Sequence, residues 1–428
     1  MKILLCPLSD GGYLYPAIAV GRALQGRGHR VTVLGRSGAG PVAAEAGMAF
    51  VPAQEYGGRR AFSATWWGET GLAQYRATLR AARETGADLL VTSVLCNGAL
   101  LAAETLDLPV VVVGLTVHLW DYRAGGAGEP HLGRTRRSRT LECLRLLAET
   151  REAAGLGGRA RRWADDPLPG DALLLRGDPA LEYPGASLPD RVHHVGPLPW
   201  EPAPEPGEVE AVRERLARSA KPVVYVHLGR FFGGRSLWPR LNELFTGGRF
   251  QAVVEQGRST DPRPAPDADV LLVRKPWMGP LVDLAGPVLA NGTSAPVLAA
   301  LVRGRPLVLS PNGSEQPLLT GACVRAGVAA RLSNSPARPP SGTASPAAPR
   351  SGAASLAPPS DPDRPAASPS EPLERVWHDG GLRSRARALG ERLAAVDGPA
   401  RAADIVERVA RVSVTPKEDH EYAISRPR

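Results

Sequence analysis

The sequence predicts an α/β protein built from two doubly wound parallel sheets that face one another across a cleft. Three observations carry that expectation. Short, continuous apolar runs alternate with helical patterns, as parallel strands buried on both faces require. A stretch rich in proline and glutamate, Pro199 to Pro206, divides this alternation into halves. The length of 428 residues, 43% of them hydrophobic, also suits two cores better than one.

In the first half, strands are expected at Lys2–Leu8, Arg30–Leu34, Phe50–Pro52, Asp88–Val94, Pro109–Val117, Ala172–Leu175 and Val192–Val195. Helical periodicity lies between them at Tyr15–Arg27, Pro41–Ala46, Gly71–Thr85, Asn97–Leu106 and Leu132–Ala154. Helices of that length between strands make βαβ units. The second half restarts with strands at Val223–Leu228, Ala252–Glu255, Val270–Val273, Val288–Ala290 and Leu307–Leu309, and helical patterning returns from Leu373 to Val412. The expected division is residues 1–200, 201–334, a Pro/Ala/Ser-rich insertion at 335–370, closing helices of the second domain at 371–412, and a tail at 413–428. The insertion has too few large apolar residues to offset the entropy of ordering it.

Composition narrows the function. The net charge of +9 comes almost wholly from arginine, since lysine occurs only at positions 2, 221, 275 and 417. Its densest run, Arg134 to Arg139, flanks a helical pattern and reads as a solvated face; no nucleic-acid partner is expected. The cysteines, Cys6, Cys96, Cys143 and Cys323, have no metal-ligand or bridge spacing, and the histidines are scattered, so no metal or other cofactor is expected. The N-terminal apolar run is too short for a signal peptide, and nothing approaches a membrane span. A cytoplasmic protein without stable membrane insertion is the expectation.

The chemistry concentrates in Asn291-Gly292-Thr293-Ser294 and the pair Glu315-Gln316. A small-residue turn between strand and helix lets a diphosphate approach backbone N–H groups, and the acid–amide pair past the next strand suits sugar hydroxyls. Here the chain resembles glycosyltransferase family one, the two-domain GT-B enzymes that glycosylate natural products. Pro16–Leu24, Arg27–Val33, Val192–Pro197, Val223–Gly229 and Arg401–Glu407 resemble further segments of that family in the same order.

The resemblance implies a UDP- or dTDP-activated sugar donor, a small apolar or aromatic acceptor, and inverting transfer. Its donor residues fall on Asn291, Gly292, Thr293, Ser294, Glu315 and Gln316, with Trp277 where the family stacks its nucleobase. Asn291 replaces a histidine that contacts the phosphates, and Ala299 replaces a glutamate that holds ribose. Arg230 stands near the expected phosphates, where it could supply the charge Asn291 lacks.

The acceptor side departs further. Tyr13 sits where the family places its catalytic histidine, and Ser93 where it has the aspartate that orients it. A phenol with an ordinary pKa near 10 is a poor base at neutral pH. Asp10, His118 and Asp121 are the substitute bases, each open to the alternative of a loop or turn residue. Two other readings stay open: a catalytically degenerate helper of the same architecture, and a lipid-linked cell-wall N-acetylglucosaminyltransferase, whose glycine-rich loop Gly11–Pro16 also resembles.

Overall fold

The computed structural model describes residues 1–53, 64–129, 132–158, 162–163, 165–205, 207–229, 234–255, 264–274, 277–332 and 370–414. The first lobe runs β1 (Lys2–Cys6), α1 (Gly11–Gly26), β2 (Arg30–Gly35), α2 (Gly40–Glu45), β3 (Ala49–Pro52), α3 (Ala64–Thr85), β4 (Leu89–Ser93), α4 (Asn97–Leu106), β5 (Val110–Val113), α5 (Leu132–Ala153), β6 (Ala172–Leu175) and β7 (Val192–His194). Its strands form one parallel sheet in the order β3-β2-β1-β4-β5-β6-β7. The strand order reverses between β1 and β4, which opens a crevice at their carboxyl ends.

The second lobe follows as α6 (Glu208–Ala217), β8 (Val223–His227), α7 (Gly234–Phe245), β9 (Gln251–Glu255), β10 (Val270–Val273), α8 (Met278–Asp283), β11 (Val288–Ala290), α9 (Ser294–Val302), β12 (Leu307–Leu309), α10 (Gln316–Arg325) and β13 (Ala329–Arg331). Its parallel sheet is ordered β10-β9-β8-β11-β12-β13, with the reversal between β8 and β11. Both sheets bury apolar side chains on both faces, the pattern that made their strands legible.

Three further helices follow among the described residues: α11 (Glu371–His378), α12 (Gly380–Ala394) and α13 (Gly398–Val414). The first two pack on the second lobe. The last returns to the first lobe, where Ala402, Ala403 and Val406 join the core formed by Ile3, Leu5 and Ile18. Arg27 fixes this return by binding Asp404 at 2.7 Å and Glu407 at 3.1 Å.

The structure differs from the sequence expectation at several ends. Helix α1 starts at Gly11 rather than Tyr15, because Asp10, in extended backbone, accepts the N–H groups of Tyr13 and Leu14 on its carbonyl. Strand β5 stops at Val113, four residues short, where the chain turns toward the second lobe. Strand β13 was not anticipated; its alanines carry little strand signal, and its place comes from pairing with β12. The Pro/Ala/Ser-rich insertion lies outside the described residues apart from Ser370, and the tail beyond Val414 does too.

The arginine run is not a solvated face throughout. Arg136 is buried, binds Glu129 at 2.9 Å and stacks over the Tyr122 ring at 4.2 Å. Arg139 reaches across to the Ser314 carbonyl of the second lobe. Buried carboxylate and carbonyl partners on α5's inner side draw these two inward, which residue counting could not foresee. The four cysteines are buried free thiols. No helix among the described residues is long and apolar enough to cross a membrane.

Candidate functional site

A cleft of about 440 Å³ lies between the lobes and is lined by residues of both. The second lobe contributes the carboxyl ends of β8 and β11 and the head of α9. Asn291 opens the turn from β11 into α9: its Oδ1 accepts Thr293 N at 3.2 Å and Thr293 Oγ1 at 2.8 Å. Gly292 has φ +83°, and a Cβ there would meet Thr320 Oγ1 at 2.6 Å, so only glycine fits. Ser294, the first residue of α9, accepts Thr116 N of the first lobe on its hydroxyl at 3.0 Å. Glu315 caps α10 and brings its carboxylate to the same place, 3.5 Å from Ser294 N, while Ser314 Oγ donates to it at 2.6 Å.

The first lobe contributes the loop that leads into α1. Asp10, Gly11, Gly12, Tyr13 and Tyr15 all line the cleft. Ser93 holds this loop, because its hydroxyl accepts Leu8 N at 3.1 Å. Burial pushes the Tyr13 phenol up, and the charge of Glu315 adds to that, so it is no base at neutral pH. Tyr15 packs edge-on against Trp200 from the inter-lobe linker at 5.3 Å, and with Leu115 and Leu198 they give the cleft an apolar flank.

Of the residues singled out from sequence, the cleft therefore gathers Asp10, Tyr13, Asn291, Thr293, Ser294 and Glu315. Gly292 lies behind the turn. Gln316 faces away: it is fully buried, and its Oε1 accepts Asn312 N at 2.8 Å, which closes the loop after β12. Trp277 is buried in the core at the head of α8; its neighbours Met278 and Gly279 line the cleft in its place. Arg230 lies outside the described residues, next to Gly229, which does line the cleft.

His118 and Asp121 are not in the cleft lining. His118 is buried, with Nε2 on the Asp121 carbonyl at 3.2 Å, within a network of Arg136, Glu129, Tyr122 and Glu182. Burial, then the Arg136 charge, push its pKa down to about 3, which keeps it neutral. Asp121 is exposed beyond it. Strand β5 ends early, so these residues lie past the crevice rather than on its rim.

Arg176, Glu201, His227, Glu255 and Arg303 also line the cleft and were not singled out from sequence. Arg176, directly after β6, is buried with Nε on the Gly114 carbonyl at 2.9 Å; burial lowers its pKa to about 10, opposed by Tyr13 and Glu315. Glu201 of the linker accepts Met278 N at 3.1 Å and Gly279 N at 2.9 Å. Burial raises its pKa, against those N–H groups and the nearby Arg303. Glu255 and His227 end β9 and β8, joined at 3.2 Å. The available signal was positional: each of Arg176, His227 and Glu255 closes an otherwise apolar strand, where open α/β sheets present ligand-binding groups. Among the described residues, no group of three or more His, Cys, Asp or Glu side chains is arranged to hold a metal.

No family model matches the chain. Solved structures do. The calicheamicin glycosyltransferase CalG4 aligns with a TM-score of 0.67 at 21% identity, covering 97% of this chain and 99% of that one. A kitacinnamycin glycotransferase aligns with a TM-score of 0.68 at 18% identity, covering 95% and 98%. The chain has the GT-B fold. Glycosyltransferase VinC, solved in complex with dTDP, aligns over 96% of this chain and all of that one, with a TM-score of 0.64 at 15% identity. The GT-B assignment thus covers both lobes and the returning helix α13.

Proposed function

We propose that this GT-B protein is an inverting glycosyltransferase that moves a sugar from a dTDP- or UDP-activated donor to a small natural-product acceptor. One relationship supports this above all: a single cleft is lined by the head of α9, with Asn291, Thr293 and Ser294, and by the opposing loop that carries Asp10. A diphosphate at the head of α9 meets the positive end of the helix dipole. Glu315 beside it accepts donor-sugar hydroxyls. The apolar flank of Tyr15, Leu115, Leu198 and Trp200 takes a flat or apolar aglycone and keeps water from competing for the sugar. That the similar structures are natural-product glycosyltransferases, one of them holding dTDP, agrees with this donor and acceptor class.

Direct displacement needs a base on the lobe opposite the leaving group. Asp10 fills that role here, since Tyr13 holds its proton and His118 and Asp121 lie away from the lining. The nucleophilic oxygen attacks the anomeric carbon as Asp10 takes its proton, and the nucleoside diphosphate departs toward α9. Its charge is received by the helix and side chains, so turnover should survive chelation of divalent ions.

Calorimetry with dTDP and UDP tests the donor site, and nucleoside diphosphate release in the presence of aromatic aglycones tests the reaction. Binding of neither nucleotide would favour a helper protein and remove the proposal.

A further inference from the structure

Among the described residues, one buried guanidinium in the cleft has no counter-ion. Arg176 follows the carboxyl end of β6 with only 3% of its surface exposed, yet it lines the cleft. Its Nε donates to the Gly114 carbonyl at 2.9 Å, and its backbone N–H donates to the Leu115 carbonyl at 2.8 Å. Its two Nη groups have no hydrogen-bond or ion-pair partner among the described residues. Glu315, whose charge is felt at Arg176, instead turns its carboxylate to Ser314 Oγ at 2.6 Å and Ser294 N at 3.5 Å. A charge left unpaired in a buried place is costly, and an incoming anion relieves that cost.

The group is also held firmly. Gly114 N donates to the Leu174 carbonyl at 2.8 Å, and a Cβ at Gly177 would meet Thr116 O at 2.2 Å, so the chain is pressed together on both sides of Arg176. With Nε spent on Gly114, the Nη groups remain, and their paired N–H bonds match the two oxygens of a carboxylate. A cation fixed in advance loses little freedom when a ligand arrives.

Its place favours the acceptor over the donor. Leu115, whose carbonyl it binds, belongs to the apolar flank, and Tyr13, close enough to feel its charge, belongs to the loop that carries Asp10. An aglycone lying on that flank presents its substituents to this cation of the first lobe. The donor's phosphates are proposed to sit at the head of α9 in the second lobe.

We propose that Arg176 binds a carboxylate of the acceptor, so that the preferred aglycones are apolar hydroxy acids rather than neutral phenols or alcohols. This rests on the transferase reading above and narrows its acceptor class. No bond changes at Arg176: the guanidinium holds the carboxylate while a hydroxyl elsewhere on the aglycone meets Asp10.

The test is calorimetry on the full chain saturated with dTDP, near neutral pH where such acids are ionised and arginine is charged. The probes are hydroxynaphthoic acids with several spacings between hydroxyl and carboxyl group, each paired with its carboxamide. At least one acid should bind wild type about tenfold more tightly than its amide, the worth of a charge-assisted pair. Arg176→Gln should abolish that preference, and Arg176→Lys should keep part of it, since the charge remains but the fork is lost. Binding of dTDP itself should be the same in all three proteins, which also shows that the variants are folded. The comparison within wild type needs no variant, and equal affinity for every acid and its amide would overturn the proposal. So would a preference that survives in Arg176→Gln. Weakened dTDP binding in both variants with the acid preference intact would overturn it too, since the anion held by Arg176 would then be the diphosphate. Failure of wild type to bind either dTDP or UDP would overturn the donor site on which this acceptor role rests.

Discussion

The Ser294 hydroxyl of the second lobe accepts the Thr116 backbone N–H of the first lobe at 3.0 Å. Both residues are buried, so the head of α9 is tied to the chain that leaves β5. Ser294→Ala leaves the Thr116 N–H without its acceptor. A buried donor left unpaired costs about 1–3 kcal/mol. Chemical denaturation should show a loss of that size, and an unchanged midpoint would mean that water replaces the hydroxyl.

Gly229 has φ +72°, and a Cβ there would lie 2.2 Å from Asn291 Nδ2. Gly229→Ala therefore meets two penalties: left-handed backbone for an L residue and a clash with the side chain that shapes the Thr293 turn. The clash is relieved only if Asn291 moves, which breaks its bonds to Thr293. We expect dTDP affinity to fall at least about tenfold, equivalent to about 1.4 kcal/mol, with a smaller change in thermal stability. Calorimetry beside a thermal melt separates the two effects.

How much of this was legible in the sequence follows from where each residue sits. The apolar strands declared themselves because both faces of both sheets are buried, and the Asn291–Ser294 turn because glycine and hydroxyl residues between strand and helix have few other uses. Gln316 was misplaced because its place beside Glu315 does not tell which way an amide turns; three-dimensional contact with Asn312 N decides that. Trp277 likewise went to the core while its successors Met278 and Gly279 reached the cleft. Glu201 comes from the inter-lobe linker and meets the site only through folding, so no local spacing announced it. His118 was expected at the rim because the apolar run through Val117 read as strand; the sheet releases the chain at Val113.

That misplaced histidine carries a pH signature. Burial holds His118 neutral, with a pKa lowered to about 3, whereas an unfolded histidine titrates near 6.5. Below the unfolded value the unfolded chain binds the extra proton, so stability falls as pH drops from about 6.5 toward 3 and is fully present above that window. The limiting slope for one such group is about 1.4 kcal/mol per pH unit. His118→Gln does not titrate. Between pH 7 and pH 5, wild type should therefore lose up to about 2 kcal/mol more stability than the variant. Urea denaturation of both at the two pH values measures the difference, and parallel losses would show that His118 is protonated in the folded chain.

Glu315 offers the clearest separation of sugar recognition from nucleotide recognition. Its carboxylate stands 3.5 Å from Ser294 N, at the helix head where the donor's phosphates are proposed to bind. Its charge there opposes an incoming diphosphate, whereas its oxygens suit the hydroxyls of the attached sugar. Glu315→Gln keeps the shape, lowers the acceptor strength and removes the repulsion. Binding of dTDP alone should then be unchanged or tighter, while transfer from a dTDP-sugar falls by about tenfold or more, the cost of weakening one charge-assisted hydrogen bond. If dTDP binding weakened in step with transfer, Glu315 would serve the turn itself through Ser314 and Ser294, and the donor sugar would lie elsewhere in the cleft.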